Sequence, residues 1–121
     1  MTFIVKRSEW ARGEPTALLM NDGTKCCLGF RASALGIPDR QLRVGHPGHL
    51  LINKATTVAD WRGLLEDSDC PDAAVHPGNY CFTQAMYEIL NANDDCWIGD
   101  EEREAVLTKL FQSVGDDVLF V

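Results

Sequence analysis

Three segments of the chain carry apolar residues at helical spacing. The first begins near Cys26 and ends at Gly36, the second spans 83–91, and the third begins at Asp100 and ends at Gly115. In each segment, apolar side chains recur at steps of three and four residues, the period of an amphipathic helix. Glycine after the last periodic residue is a typical helix stop, and Asp100 is a natural N-cap. The pattern predicts three helices, and the last is expected to bury Val106, Leu107, Leu110, Phe111 and Val114.

Both ends of the chain are rich in β-branched and aromatic residues. Residues 2–6 read Thr-Phe-Ile-Val-Lys and residues 117–121 read Asp-Val-Leu-Phe-Val, and both compositions are typical of strands. We expect these strands to pair in a short antiparallel sheet. The predicted fold class is α+β, with three to four helices packed on that sheet in a single domain covering residues 1–121.

The middle of the chain has a less regular pattern. Residues 39–78 contain proline and glycine at short intervals and no sustained period, which indicates mostly loop. A short helix is predicted around 57–65. Asn-Asp-Gly-Thr at 21–24 is a turn signal, so a hairpin is the alternative to a helix starting near Cys26. We favour the helix because the apolar period continues to Leu35.

Composition is typical of an ordinary globular protein in a reducing compartment. The 121 residues are 45% apolar and 24% charged, which suffices for a packed core. No apolar run approaches the roughly 18 residues of a membrane span, and the first residues lack the order of a signal peptide. Cys26 and Cys27 are adjacent and badly placed to bridge each other. We expect free thiols and a cytoplasmic location.

Charge is divided unevenly along the chain. Residues 1–62 contain nine Lys/Arg and five Asp/Glu, a balance of +4, whereas residues 63–121 contain two and thirteen, a balance of −11. A negative surface favours a positively charged protein partner and repels nucleic acid. The predicted partner-binding residues are acids near the start of the last helix: Asp94, Asp95, Asp100, Glu101 and Glu104.

Motifs of common enzyme classes are absent from the sequence. It contains no phosphate-binding loop, no Rossmann glycine pattern, no Gly-x-Ser-x-Gly and no His-Glu-x-x-His. Because no constellation of catalytic residues is recognisable, we expect a non-enzymatic protein without a cofactor.

The alternative is a thiol- or metal-dependent protein built on cysteines and histidines. A helix N-terminus lowers a cysteine pKa and would favour a thiolate at Cys26 or Cys27, although free cysteines are more often packed in cores. The candidate zinc ligands are Cys70, His76 and Cys81, with His46 and His49 nearby. Their spacings do not match the close Cys-x2-Cys pairs of structural zinc sites, so packing and turn roles are favoured.

A calcium loop is a further candidate between the second and third helices. Residues 91–102 place Asn91, Asn93 and Asp95 at ligand positions one, three and five, and Glu102 at position twelve. Position one is Asn rather than Asp, and a cysteine occupies position six, where the sharp turn requires glycine. An Asp/Asn-rich connection between two helices is the favoured interpretation.

Several short runs together resemble small uncharacterised proteins of bacteriophages and prophages. The runs are Asn-Asp-Gly-Thr-Lys-Cys-Cys-Leu-Gly-Phe at 21–30, Ala-Leu-Gly-Ile-Pro at 34–38, Asp-Glu-Glu-Arg-Glu-Ala at 100–105, and Gly115 with residues 118–121. Lys-Cys-Cys-Leu-Gly-Phe at 25–30 carries most of the likeness, and no activity or site residue comes with it. The resemblance implies a small accessory protein acting in the cytoplasm of a host bacterium.

Such a setting implies an inhibitor of a bacterial defence system. Many anti-CRISPR proteins are similarly small and acidic and lack catalytic motifs, and they commonly occupy a basic nucleic-acid groove on a defence protein. We therefore expect a phage-encoded inhibitor that binds a host protein with a basic surface through its acidic C-terminal half, without binding nucleic acid or membrane. A structural or assembly role in the phage particle is an alternative, which a stable homo-oligomer would favour.

Overall fold

The strands and helices of the computed structural model, which describes residues 1–43, 58–67 and 80–121, form a mixed α+β fold. Over these residues, the strands are β1 (Thr2–Val5), β2 (Leu65–Asp67), β3 (Tyr80–Phe82) and β4 (Asp117–Phe120). The helices are α1 (Cys27–Ala34), α2 (Asp39–Leu42), α3 (Gln84–Asp94) and α4 (Asp100–Ser113), with 3-10 turns at Arg7–Glu9 and Val58–Trp61. The α+β class and the three main helices are confirmed.

The two predicted terminal strands pair with each other, but they run parallel rather than antiparallel. β1 and β4 are in register from Thr2 opposite Asp117 to Val5 opposite Phe120. The N–H of Asp117 donates to the carbonyl oxygen of Met1 (2.9 Å), so β4 begins beside the start of β1. Alternation of apolar residues specifies the buried face of a strand and not its direction, which is why the antiparallel prediction was wrong.

A turn and a strand replace the helix predicted around 57–65. Val58–Trp61 forms a 3-10 turn, and β2 then pairs with β3 in antiparallel register, Leu65 opposite Phe82. Between the 3-10 turn and β2 the chain turns at Gly63, whose φ of +80° suits glycine. α2 is a second departure, because its residues were assigned to loop. Residues 44–57 and 68–79 of the predicted loop lie outside the described residues.

α1 confirms the helix predicted near Cys26 over the alternative hairpin. Residues 21–24 do form a turn, and the helix begins three residues later, at Cys27. Every residue from Cys27 to Ala32 is buried. Gly36 follows the helix with φ +89°, a left-handed conformation that only glycine adopts without strain.

α3 and α4 are joined by the short connection 95–99. Thr83 is the N-cap of α3, where its hydroxyl accepts a hydrogen bond from the N–H of Met86 (3.3 Å). The predicted N-cap Asp100 is instead the first residue of α4, and Gly99 occupies the N-cap position. The carboxylate of Asp100 bonds to arginine side chains and does not cap the helix.

The core includes residues of β1, β4 and helices α1, α3 and α4. Phe3 of β1 packs edge-to-face on Phe111 of α4, with ring centroids 5.0 Å apart. Within the face of α4 that was predicted to be buried, Leu107 and Phe111 are fully enclosed. Val106 is 36% exposed, and the other two residues are half-buried. The core therefore uses a narrower stripe of α4 than its apolar pattern predicts.

Candidate protein-binding surface

The end of α3 is fixed to the N-terminal half of the chain by one buried amide. Oδ1 of Asn93, a residue that is 1% exposed, accepts hydrogen bonds from Trp10 Nε1 (2.9 Å) and from the backbone N–H of Cys27 (3.1 Å). Its Nδ2 donates to the carbonyl oxygen of Ala11 (3.1 Å) and to the hydroxyl of Thr16 (3.2 Å). Both polar atoms of this side chain are therefore satisfied, and they tie α3 to α1.

The connection between α3 and α4 is held by a second buried polar residue, Arg103. Its guanidinium donates to the carbonyl oxygens of Ala92 (3.1 Å) and Ile98 (3.0 Å) and to that of Asp95. The carbonyl groups in the last turn of a helix lack partners within it, so the bond to Ala92 satisfies one of those of α3. The other two bonds satisfy carbonyl oxygens of the connection. The same guanidinium bonds to the carboxylate of Asp100. Arg103 thereby fixes α3 and α4 relative to each other.

Three of the five predicted partner-binding acids are bonded to side chains of the N-terminal segment. Asp94 accepts a hydrogen bond from the hydroxyl of Thr16 (2.6 Å). Glu104 forms a two-point ion pair with Arg7, with N to O distances of 2.6 and 2.9 Å. The third is Asp100. A partner would have to compete with these contacts, so the structure does not favour Asp94, Asp100 and Glu104 as binding residues.

The Asp100 carboxylate lies between two guanidinium groups. Arg12 donates to it from Nη2 (2.9 Å) and Nε (3.3 Å), and Arg103 donates to it from Nη1. The hydrogen bond from Arg12 and the charges of both arginines lower the pKa of Asp100 below its ordinary value. Asp100 therefore stays ionised and links the N-terminal segment to the start of α4.

The other two predicted acids, Asp95 and Glu101, are better placed for a partner. Asp95 accepts one hydrogen bond, from the N–H of Trp97 (2.8 Å), and Glu101 is exposed on the first turn of α4. Two acids that were not predicted, Glu88 and Glu102, are exposed as well. Among the residues that the structure describes, Glu88, Glu101 and Glu102 have no hydrogen-bond or ion-pair partner.

A groove with a volume of about 430 Å³ lies between α3 and α4. We call it the α3–α4 groove. One face of α3, two residues of the connection and one face of α4 line it: Glu88, Asn91, Ala92, Asp95, Ile98, Glu102, Val106 and Leu110. Four of these side chains are apolar, three are carboxylates and none is basic. An apolar centre with a polar rim is the usual anatomy of a protein interface.

Trp97 belongs to the connection and directly precedes Ile98, a lining residue of the α3–α4 groove. It is 91% exposed, far more than Tyr87 of α3 (46%) and Val106 of α4 (36%). Tryptophan and tyrosine are enriched at protein interfaces, where they supply large contact areas. The surface therefore combines an exposed aromatic side chain, an apolar groove and unpaired carboxylates.

The acids predicted from the sequence lie on and between these helices, but the apolar part of this candidate surface was not predicted. Val106 and Leu110 were predicted as core because they share the helical period with Leu107 and Phe111. In the structure Leu107 and Phe111 fill the core, while Val106 and Leu110 form a second stripe that lines the groove. An apolar arc wider than one buried stripe is the signal in the sequence that could have identified this surface.

The alternative thiol role is disfavoured at Cys26 and Cys27, because both side chains are buried in the core. Burial raises the pKa of Cys26 to about 11 and raises the pKa of Cys27 well above its ordinary value. Neither is a thiolate at neutral pH, and the core packing favoured from the sequence is confirmed. Cys96 is exposed, Cys81 belongs to β3, and Cys70 lies outside the described residues.

Four of the five zinc candidates lie outside the described residues: His46, His49, Cys70 and His76. In the part of the chain that the structure describes, no three His, Cys, Asp or Glu side chains are grouped to hold a metal ion. Within the calcium candidate 91–102, Asn93 is directed into the core towards Trp10 and Cys27. Asn93 and Arg103 thus organise this segment as a connection between helices.

A second depression, with a volume of about 630 Å³, adjoins α1, the end of α4 and the segment 58–67. Its buried charges pair with one another. Nε of Arg31 bonds to Asp116 at 2.8 Å, and the amino group of Met1 bonds to the other oxygen of Asp116 at 3.0 Å. Because these groups are satisfied within the fold, the α3–α4 groove is the stronger candidate for a binding site.

Comparisons with protein-family models, with curated proteins and with solved structures gave no match. No helix in the described part of the chain is both long and apolar enough to cross a membrane. The surface on α3 and α4 is therefore interpreted from its own geometry and charge.

Proposed function

We propose that this chain is a non-enzymatic binding protein that recognises a basic partner protein through the α3–α4 groove. The observation that carries the proposal is the combination of an apolar groove, the 91% exposed Trp97, and the unpaired carboxylates of Glu88, Glu101 and Glu102 on one helical hairpin. Arg103 and Asn93 hold that hairpin in place, so the surface is preorganised and little order is lost on binding.

The two kinds of feature contribute differently to binding. Carboxylates on an exposed rim speed the encounter with a positively charged partner and select against acidic ones. Apolar and aromatic side chains that become buried supply most of the affinity, and tryptophan is among the commonest residues to do so. We therefore assign affinity to Trp97 and the apolar floor, and selectivity to Glu88 and Glu102.

We further propose that the partner is a bacterial defence protein and that the chain is a phage-encoded, anti-CRISPR-like inhibitor acting in the host cytoplasm. Two observations support this assignment: the likeness of residues 25–30 to phage accessory proteins, and the −11 balance of residues 63–121. An acidic surface of this kind would compete with nucleic acid for a basic groove on the partner. A role in phage assembly is the competing proposal.

Capture of partners from bacterial lysate tests the binding surface. The wild-type chain is expected to retain a basic host protein at about 50 mM salt and to lose most of it at about 500 mM, because salt screens exposed charges. The double variant Glu88→Lys/Glu102→Lys is expected to retain at least about 10-fold less of that protein. Mass spectrometry would identify the protein, and thermal melting would show that the variant is folded.

The matched control is Glu14→Lys/Asp117→Lys, which makes the same change in net charge at exposed residues outside the groove. This control should capture the partner as the wild type does. If both double variants lose capture equally, net charge and not this surface is responsible. Full capture by Glu88→Lys/Glu102→Lys would contradict the proposed function.

A further inference from the structure

We infer that the α3–α4 groove receives a basic amphipathic helix of the partner, lying lengthwise along the groove. This inference rests on the proposed function and specifies the form of the partner segment. It follows from three properties of the described lining residues: the length of the groove, the chemistry of its walls and the positions of its charges.

The length of the groove matches about two turns of helix. Along α3 and the residue that follows it, the lining runs from Glu88 to Asp95, and on α4 it runs from Glu102 to Leu110. At 1.5 Å per residue these stretches are about 10 and 12 Å long. One helical turn is about 5.4 Å, so a segment of roughly seven to eight residues would cover the lining.

The chemistry of the walls favours a helix over an extended strand. Both walls are α-helices, whose backbone N–H and C=O groups bond within the helix, so the groove offers no open strand edge. An extended segment would have to leave its own backbone groups unpaired against the apolar floor, which is costly. The backbone N–H and C=O groups of a helix are already bonded to one another. A helix therefore presents only side chains to Ala92, Val106 and Leu110.

The positions of the charges specify the pattern of the partner helix. Glu88 of α3 and Asp95, the residue that follows α3, are seven positions apart, and the apolar part of the lining includes Ala92 between them. A helix alongside α3 would meet both carboxylates with basic residues about seven positions apart, and the floor with apolar residues between them. The expected pattern is Lys/Arg-x-x-apolar-apolar-x-x-Lys/Arg. Trp97 directly precedes the lining residue Ile98, so its ring can stack on a basic side chain of the partner helix near that residue.

The test uses a synthetic alanine-based peptide of about 18 residues, long enough to form a helix in water, that carries Lys-x-x-Leu-Leu-x-x-Lys. A peptide of the same composition in scrambled order and a version with a central proline serve as probes of pattern and of helicity. In titration calorimetry with the wild-type chain, the patterned peptide is expected to bind with a Kd below about 100 µM. The scrambled and proline peptides should bind at least about 10-fold more weakly.

Variants of the chain locate the peptide. Val106→Asp should weaken binding at least about 10-fold, because it places a desolvated charge in the groove. Leu119→Asp is the control, since Leu119 is an exposed apolar residue on β4 (51%) outside the groove. Both variants should melt near the wild-type temperature, because the two side chains lie outside the enclosed core.

The outcomes separate this inference from the proposed function. Equal binding of the patterned and proline peptides, or no binding of the patterned peptide at about 1 mM, would overturn the helix inference. The proposed function would still stand if Glu88→Lys/Glu102→Lys loses partner capture and the control does not. A homodimer that Val106→Asp dissociates would also overturn the inference, since a second copy would then fill the groove.

Discussion

Replacement of Gly29 with alanine is expected to lower the free energy of unfolding by about 3 kcal/mol or more. A Cβ atom at this position would lie 2.0 Å from the carbonyl oxygen of Leu18 and 3.0 Å from Cβ of Lys25. The contact with Leu18 is to its backbone, which cannot rotate away as a side chain can, so α1 would have to move away from the segment that contains Leu18. Helix propensity alone predicts the opposite sign, a gain of about 1 kcal/mol. The melting temperature should fall by roughly 10 °C.

Gly99→Ala is the matched control, because a Cβ there would meet no atom within 4 Å and its φ of −80° suits any residue. It should change stability by less than about 1 kcal/mol in either direction. Urea unfolding of both variants measures the two effects on the same scale. A Gly29→Ala variant as stable as the wild type would show that α1 does not pack this closely on Leu18.

The position of Gly29 also explains the motif on which the phage resemblance mainly depends. Within Lys-Cys-Cys-Leu-Gly-Phe, every residue from Cys26 to Phe30 is buried. Lys25 forms an ion pair with Asp39 at 2.9 Å. The motif is thus accounted for by packing of α1 and contributes nothing to the α3–α4 groove. The proposed phage setting is therefore independent of the binding site.

Replacement of Asp116 with alanine is expected to cost about 3–5 kcal/mol, because it leaves the charge of Arg31 buried without its anion. The side chains of Arg31 and Asp116 are only 3% and 4% exposed, and their N to O distance is 2.8 Å. The guanidinium would keep its bond to the carbonyl oxygen of Asp60 (2.9 Å) and its position over the ring of Trp61. Neither contact neutralises a full positive charge.

The control for this prediction is the exposed ion pair between Arg7 and Glu104. Its side chains are 50% and 19% exposed, so Glu104→Ala should destabilise the chain far less than Asp116→Ala does. Chemical denaturation of the two variants would give the comparison. Similar losses for Asp116→Ala and Glu104→Ala would mean that the Arg31 pair is hydrated and not part of the enclosed fold.

Local pattern predicted most of the secondary structure but not its assembly. The period of three to four residues located α1, α3 and α4, and β-branched composition located β1 and β4, because both signals arise within a few neighbouring residues. The parallel direction of the sheet depends on the end of β1 at which the chain leaves α4 and enters β4. No local sequence signal contains that position. The apolar residues near Trp61 fit a turn and a strand as well as a helix, so the helix predicted there was wrong.

The candidate binding site could not be predicted residue by residue, because sequence does not show which acids are paired. Arg7 is 97 residues from Glu104 and Arg12 is 88 residues from Asp100, yet these pairs are in contact. Asn93 is polar and would be expected at the surface, but it is buried at the centre of a hydrogen-bond network. Long-range pairing thus shifts the proposed site from the predicted acids towards the groove beside them.

The most direct test of partner recognition at the α3–α4 groove uses the three tryptophan side chains as reporters. Trp10 and Trp61 are 4% and 2% exposed, whereas Trp97 is 91% exposed. Their indole N–H signals can be followed by two-dimensional NMR of the ¹⁵N-labelled chain during titration with the captured partner, with Trp97→Phe used to assign the exposed one. We expect the Trp97 signal and the amides of Glu102 and Val106 to shift or broaden, while the Trp10 and Trp61 signals stay in place. Saturation of the partner with the Trp97 signal unchanged would contradict recognition at this groove.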